Sequence, residues 1–501
     1  MMGYGVPTLR PSIPNTTMKK RSKRKTNSTV PMALLERFEH ASYRKSSVGV
    51  GKYSSRLMER AGAVLPETCK TAAGHIGPAP HGSACHVFPM SVRFLLKRFS
   101  RGYMVSTVAT LQTAESASPT RKAERLVSLD VYRGLTIMGM ILVTDPGTYT
   151  AVYWPLLHAT WNGWTPTDMI FPSFLFISGV AMTLSFAARA ARGETRSQLA
   201  GHLFRRAALL IVMGLVLNGF PFFHLHSLRI PGILQRIALC YLGGGLLYLA
   251  CGRKPIRTRA SILAAAMLAI FAGYWALLKF FPVPGFGPGR LDSIGNLGAY
   301  IDRAIFGINH LWVYGLTPGY GVTYDPEGLL STLPALTLLL AGILVGEWLR
   351  TKSPPVRKAL AILAVGIVLL LAGRLLDPFL PINKRILTTT FALFSIGFSM
   401  IAFSVCYWIV DMRRWHWWTT PALIFGTNAI FAFVLSTVIT SLFDVIRVGS
   451  ERLTLHAWGY SHLFLPWLSP VHASLAYALV MVGLNLAIVS VLYRKRIFLR
   501  I

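Results

Sequence analysis

From residue 126 onward the chain is divided into ten apolar runs: about 126–144, 168–187, 203–218, 232–250, 259–279, 328–349, 358–376, 386–410, 420–443 and 471–493. Most are near the ~20 residues that a helix needs to cross the hydrocarbon core of a bilayer. No water is available there to bond backbone N–H and C=O groups, so a spanning segment must satisfy them within itself. The runs therefore predict an all-α, polytopic membrane helix bundle with about ten transmembrane helices. Only 14% of the residues are charged, against roughly 25% in soluble domains.

Charge sets the expected orientation. The net charge is +32, which invites a nucleic-acid partner, but the basic stretches have no nucleic-acid-binding motif around them. If the N-terminus is placed in the cytoplasm, the inside loops 188–206, 251–259, 350–358, 411–418 and the tail 494–501 hold 19 Lys/Arg in 53 residues. The outside loops 145–167, 219–231, 279–327, 374–385 and 444–470 hold 9 in 124 residues. The excess belongs inside, so both termini are expected to be cytoplasmic.

The first 124 residues read differently. They are basic (MKKRSKRK) and irregular (GHIGPAPHGSACH), with no apolar stretch of secretory-signal type near the start. They are expected to be a disordered basic extension or an upstream translation artefact, with Met104 or a nearby residue as the true start. Residues 125–501 form the membrane domain. The five cysteines make no CxxC pair, so neither a disulfide framework nor a cysteine-ligated zinc is expected.

Chemistry concentrates at the ends of the runs. Residues 157–179 read LHATWNGWTPTDMIFPSFLFISG. His158, Trp161 and Asn162 lie on the outer side, Asp168 opens the second run, and Pro172 can kink it. His158 is the foremost catalytic candidate, because imidazole exchanges a proton near neutral pH and can accept an acyl group. An interfacial histidine that only bonds a loop is the plainer alternative. Asp168 can orient that ring, or simply cap its helix. Asp145, in VTDPG, is a further catalytic candidate with a turn role as the alternative. His224 and His226 are too few for a metal site, and none is expected.

On the cytoplasmic side, Arg133 lies three residues from Asp130, and Arg205 and Arg206 enter the third run. These arginines can receive phosphates, or be ordinary positive-inside flanks. Gln235 and Arg236 open the fourth run, and Asn383, Lys384 and Arg385 precede the eighth. Asn428 falls inside the ninth, where a buried amide is either functional or an inter-helix bond. Asp325 and Glu327 head the sixth run as caps or substrate contacts. No Walker loop, dinucleotide fingerprint, HExxH or GxSxG motif is present.

Six stretches in order resemble the bacterial relatives of heparan-α-glucosaminide N-acetyltransferase, within the transmembrane acyltransferase group. They are SLDVYRGLTIMGMILV, LHATWNGWTPTDMIFPSFLFISG, RIPGILQRIALCY, YDPEGLLSTLPA, PINKRILTTTFALF and GTNAI, covering about residues 125–495. The resemblance implies acetyl transfer from cytosolic acetyl-CoA to an amino sugar across the membrane, with His158 at the position of the family's active-site histidine. Together with the residue readings above, His158, Asn162, Asp168 and Asp145 are expected around the reaction, and Arg133, Arg205, Arg206, Gln235, Arg236, Asn383 and Lys384 toward acetyl-CoA. The family has an asparagine in a VN motif after the first helix; this chain has Thr144 there, with Asp145 next to it. The expected setting is a bacterial inner (plasma) membrane. The partners are the bilayer and an amino-sugar or glycan acceptor, with no nucleic acid and with a homodimer open as the assembly.

Two other functions compete: O-acylation of a surface glycan, and transport of a sugar or cell-wall fragment without chemistry. Transporters are commonly built from repeats with interrupted helices in both halves, and no convincing repeat is seen here. Trp312, Tyr314, Tyr320 and Tyr324 in the long loop 279–327 suit stacking on a sugar or an aromatic belt at the membrane interface.

Overall fold

The computed structural model describes residues 126–498. The expected extension over residues 1–124, with its start near Met104, lies outside the described residues. The described chain is a helical membrane bundle. Its spanning helices are α1 (Val127–Thr144), α2 (Ile170–Ala191), α3 (Arg196–Gly219), α4 (Ile233–Cys251), α5 (Ile256–Phe280), α7 (Thr332–Leu349), α8 (Pro355–Leu375), α9 (Thr389–Tyr407, continued by a π-turn to Met412) and α13 (Pro470–Arg494). Between α5 and α7 lies the short α6 (Leu297–Phe306), and α12 (Leu455–Gly459) precedes α13. Two small antiparallel hairpins, Leu316–Thr317 with Gly321–Val322 and Arg447–Val448 with Leu453–Thr454, are confined to loops.

The ninth apolar run is not one helix. It breaks into α10 (Thr420–Thr427) and α11 (Ala429–Val445), bent by 89°. Asn428, expected inside a helix, is the junction, with a non-helical φ of −126° and ψ of 41°. A break in lipid must re-satisfy the freed backbone. Here Arg133 Nη1 donates to the Gly426 carbonyl at 3.1 Å, while the side-chain Nδ2 of Asn428 donates to the Ile497 carbonyl at 3.1 Å and ties the junction to the chain just past the end of α13. The sequence hides the break because the apolar pattern runs straight through it.

Pro172, expected to be able to kink its helix, falls at the very start of α2. The α-helix starts at Ile170, so Pro172 sits in its first turn, where an amide donor has no intrahelical partner to lose. Similarly α3 begins at Arg196, held by a capping box in which Thr195 N donates to Gln198 Oε1 at 2.8 Å and Gln198 N donates to Thr195 Oγ1 at 3.3 Å. Arg205 and Arg206 therefore lie well inside α3, not at its entry.

Helices touch where side chains are missing. An added Cβ at Gly342 of α7 would stand 1.9 Å from the Phe176 carbonyl oxygen of α2, and one at Gly134 of α1 would stand 1.7 Å from that of Ala422 in α10. Small residues at such crossings let backbones approach, which is how helices pack in lipid. The main core runs from Val131 and Phe176 through Leu338 to Phe403.

Alternate loops gather at one end. The segments after α1, α3, α5 and α8 bond to one another there, and this is the His158 face. On the charge pattern, this is the face expected outside. A cysteine introduced near residue 290 is expected to react with an impermeant thiol reagent added outside intact cells. One near residue 195 is expected to react only after the membrane is opened. Reversed labelling would overturn the orientation.

Candidate active site

The loop from Leu157 to Thr165 is shaped by one carboxylate. Asp168 is the third residue of a 3-10 turn, Pro166–Met169, that leads into α2. Its Oδ2 accepts from the backbone amides of Thr165 at 3.0 Å and Ala159 at 3.2 Å. Its Oδ1 is left for side chains: His158 Nδ1 at 2.7 Å and Lys384 Nζ at 3.2 Å. Lys384 Nζ also lies 2.9 Å from His158 Nδ1. The carboxylate is fully buried while the histidine side chain is 39% exposed. Its Nε2 makes no hydrogen bond among the described residues, so the open nitrogen is the one available to a ligand.

The loop before α9 is zipped to this one. Gly163 N donates to the Ile382 carbonyl at 2.7 Å, and Gly163 adopts φ +97°, a conformation that favours glycine. Asn383 Nδ2 donates to Asn162 Oδ1 at 3.0 Å. Asn383 Oδ1 accepts from Ile386 N at 3.1 Å, and Thr388 caps α9. These bonds fix Lys384 against His158, although 226 residues separate them.

The long loop between α5 and α7 adds an aromatic wall. Trp161 Nε1 donates to the Leu291 carbonyl at 2.9 Å, and its ring meets Tyr324 edge-on at 5.1 Å. Trp312 lies 6.4 Å from Tyr324, with the Arg385 guanidinium 5.4 Å over its face. Arg229 ties the loop down: Nη2 reaches Asp325 Oδ1 at 2.6 Å and Glu327 Oε2 at 2.5 Å. Asp325 and Glu327 thus serve as ion-pair partners of Arg229, and neither side chain caps α7.

Burial and the neighbouring Lys384 cation push the His158 pKa below its ordinary value, against the pull of Asp168. Burial likewise lowers Lys384. Glu327 is held down by Arg229 and Arg236 in spite of its burial, which acts upward. A neutral, oriented imidazole beside an aromatic wall can remove a proton from an incoming nucleophile or carry an acyl group on Nε2.

A family model for the catalytic region of heparan-alpha-glucosaminide N-acetyltransferase matches residues 125–376, which takes in the His158 loop and every helix from α1 to α8. The chain belongs to this family. The human heparan-alpha-glucosaminide N-acetyltransferase is 28% identical over 75% of this chain and 60% of its own length. The mouse protein is 28% identical over 76% of this chain and 61% of its own. An uncharacterized 39.9 kDa protein from the amylase 3' region of Bacillus acidopullulyticus is 27% identical over 53% of this chain and 76% of its own. The chain therefore spans about 60% of the length of the human and mouse relatives.

Within this member of the heparan-alpha-glucosaminide N-acetyltransferase family, the residues grouped toward acetyl-CoA do not form one cluster. Asn383 and Lys384 belong to the His158 site. Arg236 bonds the Gly328 carbonyl and Ser331 Oγ at the head of α7, and Gln235 Nε2 donates to the Ile230 carbonyl at 3.1 Å. Arg206 meets Tyr241, its Nη1 3.1 Å from the phenol oxygen and its guanidinium 4.4 Å from the ring centroid. Its Nε is buried without a hydrogen-bond partner among the described residues. Arg205 is exposed. Arg133 sits at the far end of α1, 3.4 Å from Asp130. Asp145 is buried, accepts from Thr440 Oγ1 at 2.6 Å, and has no bond to His158. Burial raises its pKa to about 6.

Sequence reasoning missed Arg229, and it grouped Lys384 toward acetyl-CoA without its contacts to His158 and Asp168. An arginine in a loop otherwise nearly free of positive charge was the available signal for the first. Nothing local marks the second.

Proposed function

We propose that this chain is a transmembrane acetyltransferase that moves an acetyl group from acetyl-CoA, offered from the cytoplasm, to the amine of a glucosamine-type sugar at the His158 face, in a bacterial inner membrane. The observation that carries the reading is the placement of the imidazole. Its Nδ1 faces the buried Asp168 at 2.7 Å, and its Nε2 has no hydrogen-bond partner among the described residues. With the proton on Nδ1, the lone pair on Nε2 points to the acceptor. As the amine nitrogen bonds to the acetyl carbon and the C–S bond breaks, Nε2 takes the amine proton. A route through an acetyl group held on Nε2 uses the same nitrogen. Trp161, Tyr324 and Trp312 supply faces on which a pyranose ring can lie.

The opposite face fits a phosphorylated carrier. A cleft of about 620 Å³ is bounded there by Val127, Asp130, Thr427, Arg494, Arg496 and Phe498. Its arginines suit phosphates and its aromatic edge suits a base. The unpartnered Nε of Arg206 marks a polar demand between the two faces, along a groove lined by Phe171, Ile237 and Phe433. Acetyl-CoA supplies the activated acetyl group.

The test is transfer of radiolabelled acetyl from acetyl-CoA to glucosamine by purified protein. Labelled N-acetyl sugar is the expected product. Sugar uptake into vesicles without acetylation would replace the proposal with a transporter, and alkali-labile label on a hydroxyl would replace it with an O-acyltransferase.

A further inference from the structure

The three-way contact of His158, Asp168 and Lys384 contains a conflict that decides more than the identity of the base. Nδ1 of an imidazole has one hydrogen-bonding position. As a donor it bonds to Asp168 Oδ1 at 2.7 Å, and as an acceptor it receives a hydrogen bond from Lys384 Nζ at 2.9 Å. The two states need opposite tautomers. Only the first leaves a lone pair on Nε2.

We propose that Lys384 is a positioning residue for His158: its ammonium supplies the counter-charge to Asp168, so that the imidazole stays neutral with its proton on Nδ1 and its lone pair on Nε2. This rests on the acetyltransferase reading of the same site. Asp168 is fully buried, and an ionised carboxylate without water must be paired. Its Oδ2 is spent on the amides of Thr165 and Ala159. Among the described residues, the cations within ion-pair distance of the carboxylate are Lys384 and, when protonated, His158. If Lys384 is removed, the demand falls on His158, which meets it by keeping a second proton. Nε2 then carries N–H and can neither accept a proton nor take an acetyl group.

Every charged group facing the ring acts in this balance. Asp168, from the head of α2, favours the imidazolium. Lys384 and Arg385, from the loop before α9, disfavour it, as does burial. The proton balance of the reaction closes on the same groups. The amine proton passes to Nε2 as the N–C bond forms. The imidazolium, set beside an ammonium, is short-lived and returns that proton to the departing sulfur. Lys384 is kept at this post by its backbone, since the neighbouring Asn383 is bonded to Asn162 and Thr388.

The experiment reads the histidine directly. Diethyl pyrocarbonate acylates neutral imidazole, and mass spectrometry of the peptide containing His158 gives its rate at each pH in the purified, detergent-solubilised protein. The wild-type midpoint is expected below the ordinary histidine value of about 6.5. In Lys384→Gln it is expected to rise by about one unit or more, the size of shift that loss of a neighbouring charge produces. Lys384→Arg, which keeps the charge, is expected to stay near wild type. The acid limb of acetyl transfer should move with the midpoint. A wild-type midpoint at or above the ordinary value overturns the proposal. So does an unmoved midpoint in folded Lys384→Gln; if that variant does not fold, the same comparison is read in Lys384→Met. Acetyl transfer with an unmoved midpoint sinks only the role of Lys384. A moved midpoint in a protein that transfers no acetyl group sinks the acetyltransferase reading and leaves that role standing.

Discussion

His158→Ala is expected to lower acetyl transfer by at least the roughly 10²- to 10⁴-fold that one general base contributes, in protein that folds and still binds acetyl-CoA. Folding should survive for a local reason. The ring is 39% exposed, and the groups it touches keep other partners. Asp168 retains Lys384 and the amides of Thr165 and Ala159. What is lost is the Nε2 lone pair. Acetyl-CoA binding is measured separately, by equilibrium binding of the labelled donor, because the proposed carrier cleft lies at the opposite face. Near-wild-type turnover in folded His158→Ala would reduce the loop to an interfacial anchor. The kinetics of the wild type divide the two roles left to Nε2. Ping-pong behaviour with a trapped acetyl-enzyme selects the acetyl carrier, and intersecting double-reciprocal lines select the base.

The depressed pKa of His158 gives the pH profile a sign. The active form is the neutral ring. The rate therefore rises as pH climbs through the histidine's pKa, and that limb lies lower than for a free histidine, because burial and the Lys384 cation both oppose the charged form. Asp168→Asn removes the carboxylate's pull toward the imidazolium and also the acceptor that fixes the tautomer. The pKa falls further while the share of rings with a free Nε2 lone pair drops, so the rate falls at every pH.

The contrast between what the sequence reveals and what it hides follows from the range of the forces involved. Apolar runs are legible because a bilayer tests each segment by itself. His158 and Asp168 are legible as a pair because they sit ten residues apart on one polar mouth. Lys384 lies 226 residues away from His158, and only the hydrogen bonds between Gly163 and Ile382 and between Asn162 and Asn383 bring it in. No local pattern encodes that meeting. The break at Asn428 is hidden for the opposite reason. Hydropathy reports polarity, not direction, and the bend rests on a tertiary bond from Arg133 to Gly426. Asp325 and Glu327 look like helix caps in sequence because capping is a short-range rule; their partner Arg229 is 96 and 98 residues away.

The second large effect is structural, and it separates two glycines that sequence alone treats alike. Gly342→Ala is expected to destabilise the protein at the upper end of the ~1–3 kcal/mol that overpacking a core typically costs. Gly273→Ala is expected to be neutral or to stabilise by up to about 1 kcal/mol, since alanine is the better helix former. Both residues lie inside spanning helices, α7 and α5. At Gly273 an added methyl meets nothing within 4 Å. At Gly342 it would stand 1.9 Å from the Phe176 carbonyl oxygen and 3.1 Å from the Gly179 Cα, and across the same seam a methyl on Gly179 would stand 2.1 Å from the Leu339 carbonyl oxygen. Those obstacles are backbone and cannot rotate away. The helices must part, and each carries one side of the site: α2 starts two residues after Asp168, and α7 starts five residues after Glu327. Gly342→Ala should therefore lower the thermal midpoint in detergent and weaken acetyl transfer, with Gly273→Ala doing neither. Equal midpoints for the two variants would mean that the close approach of α2 and α7 does not hold this bundle together.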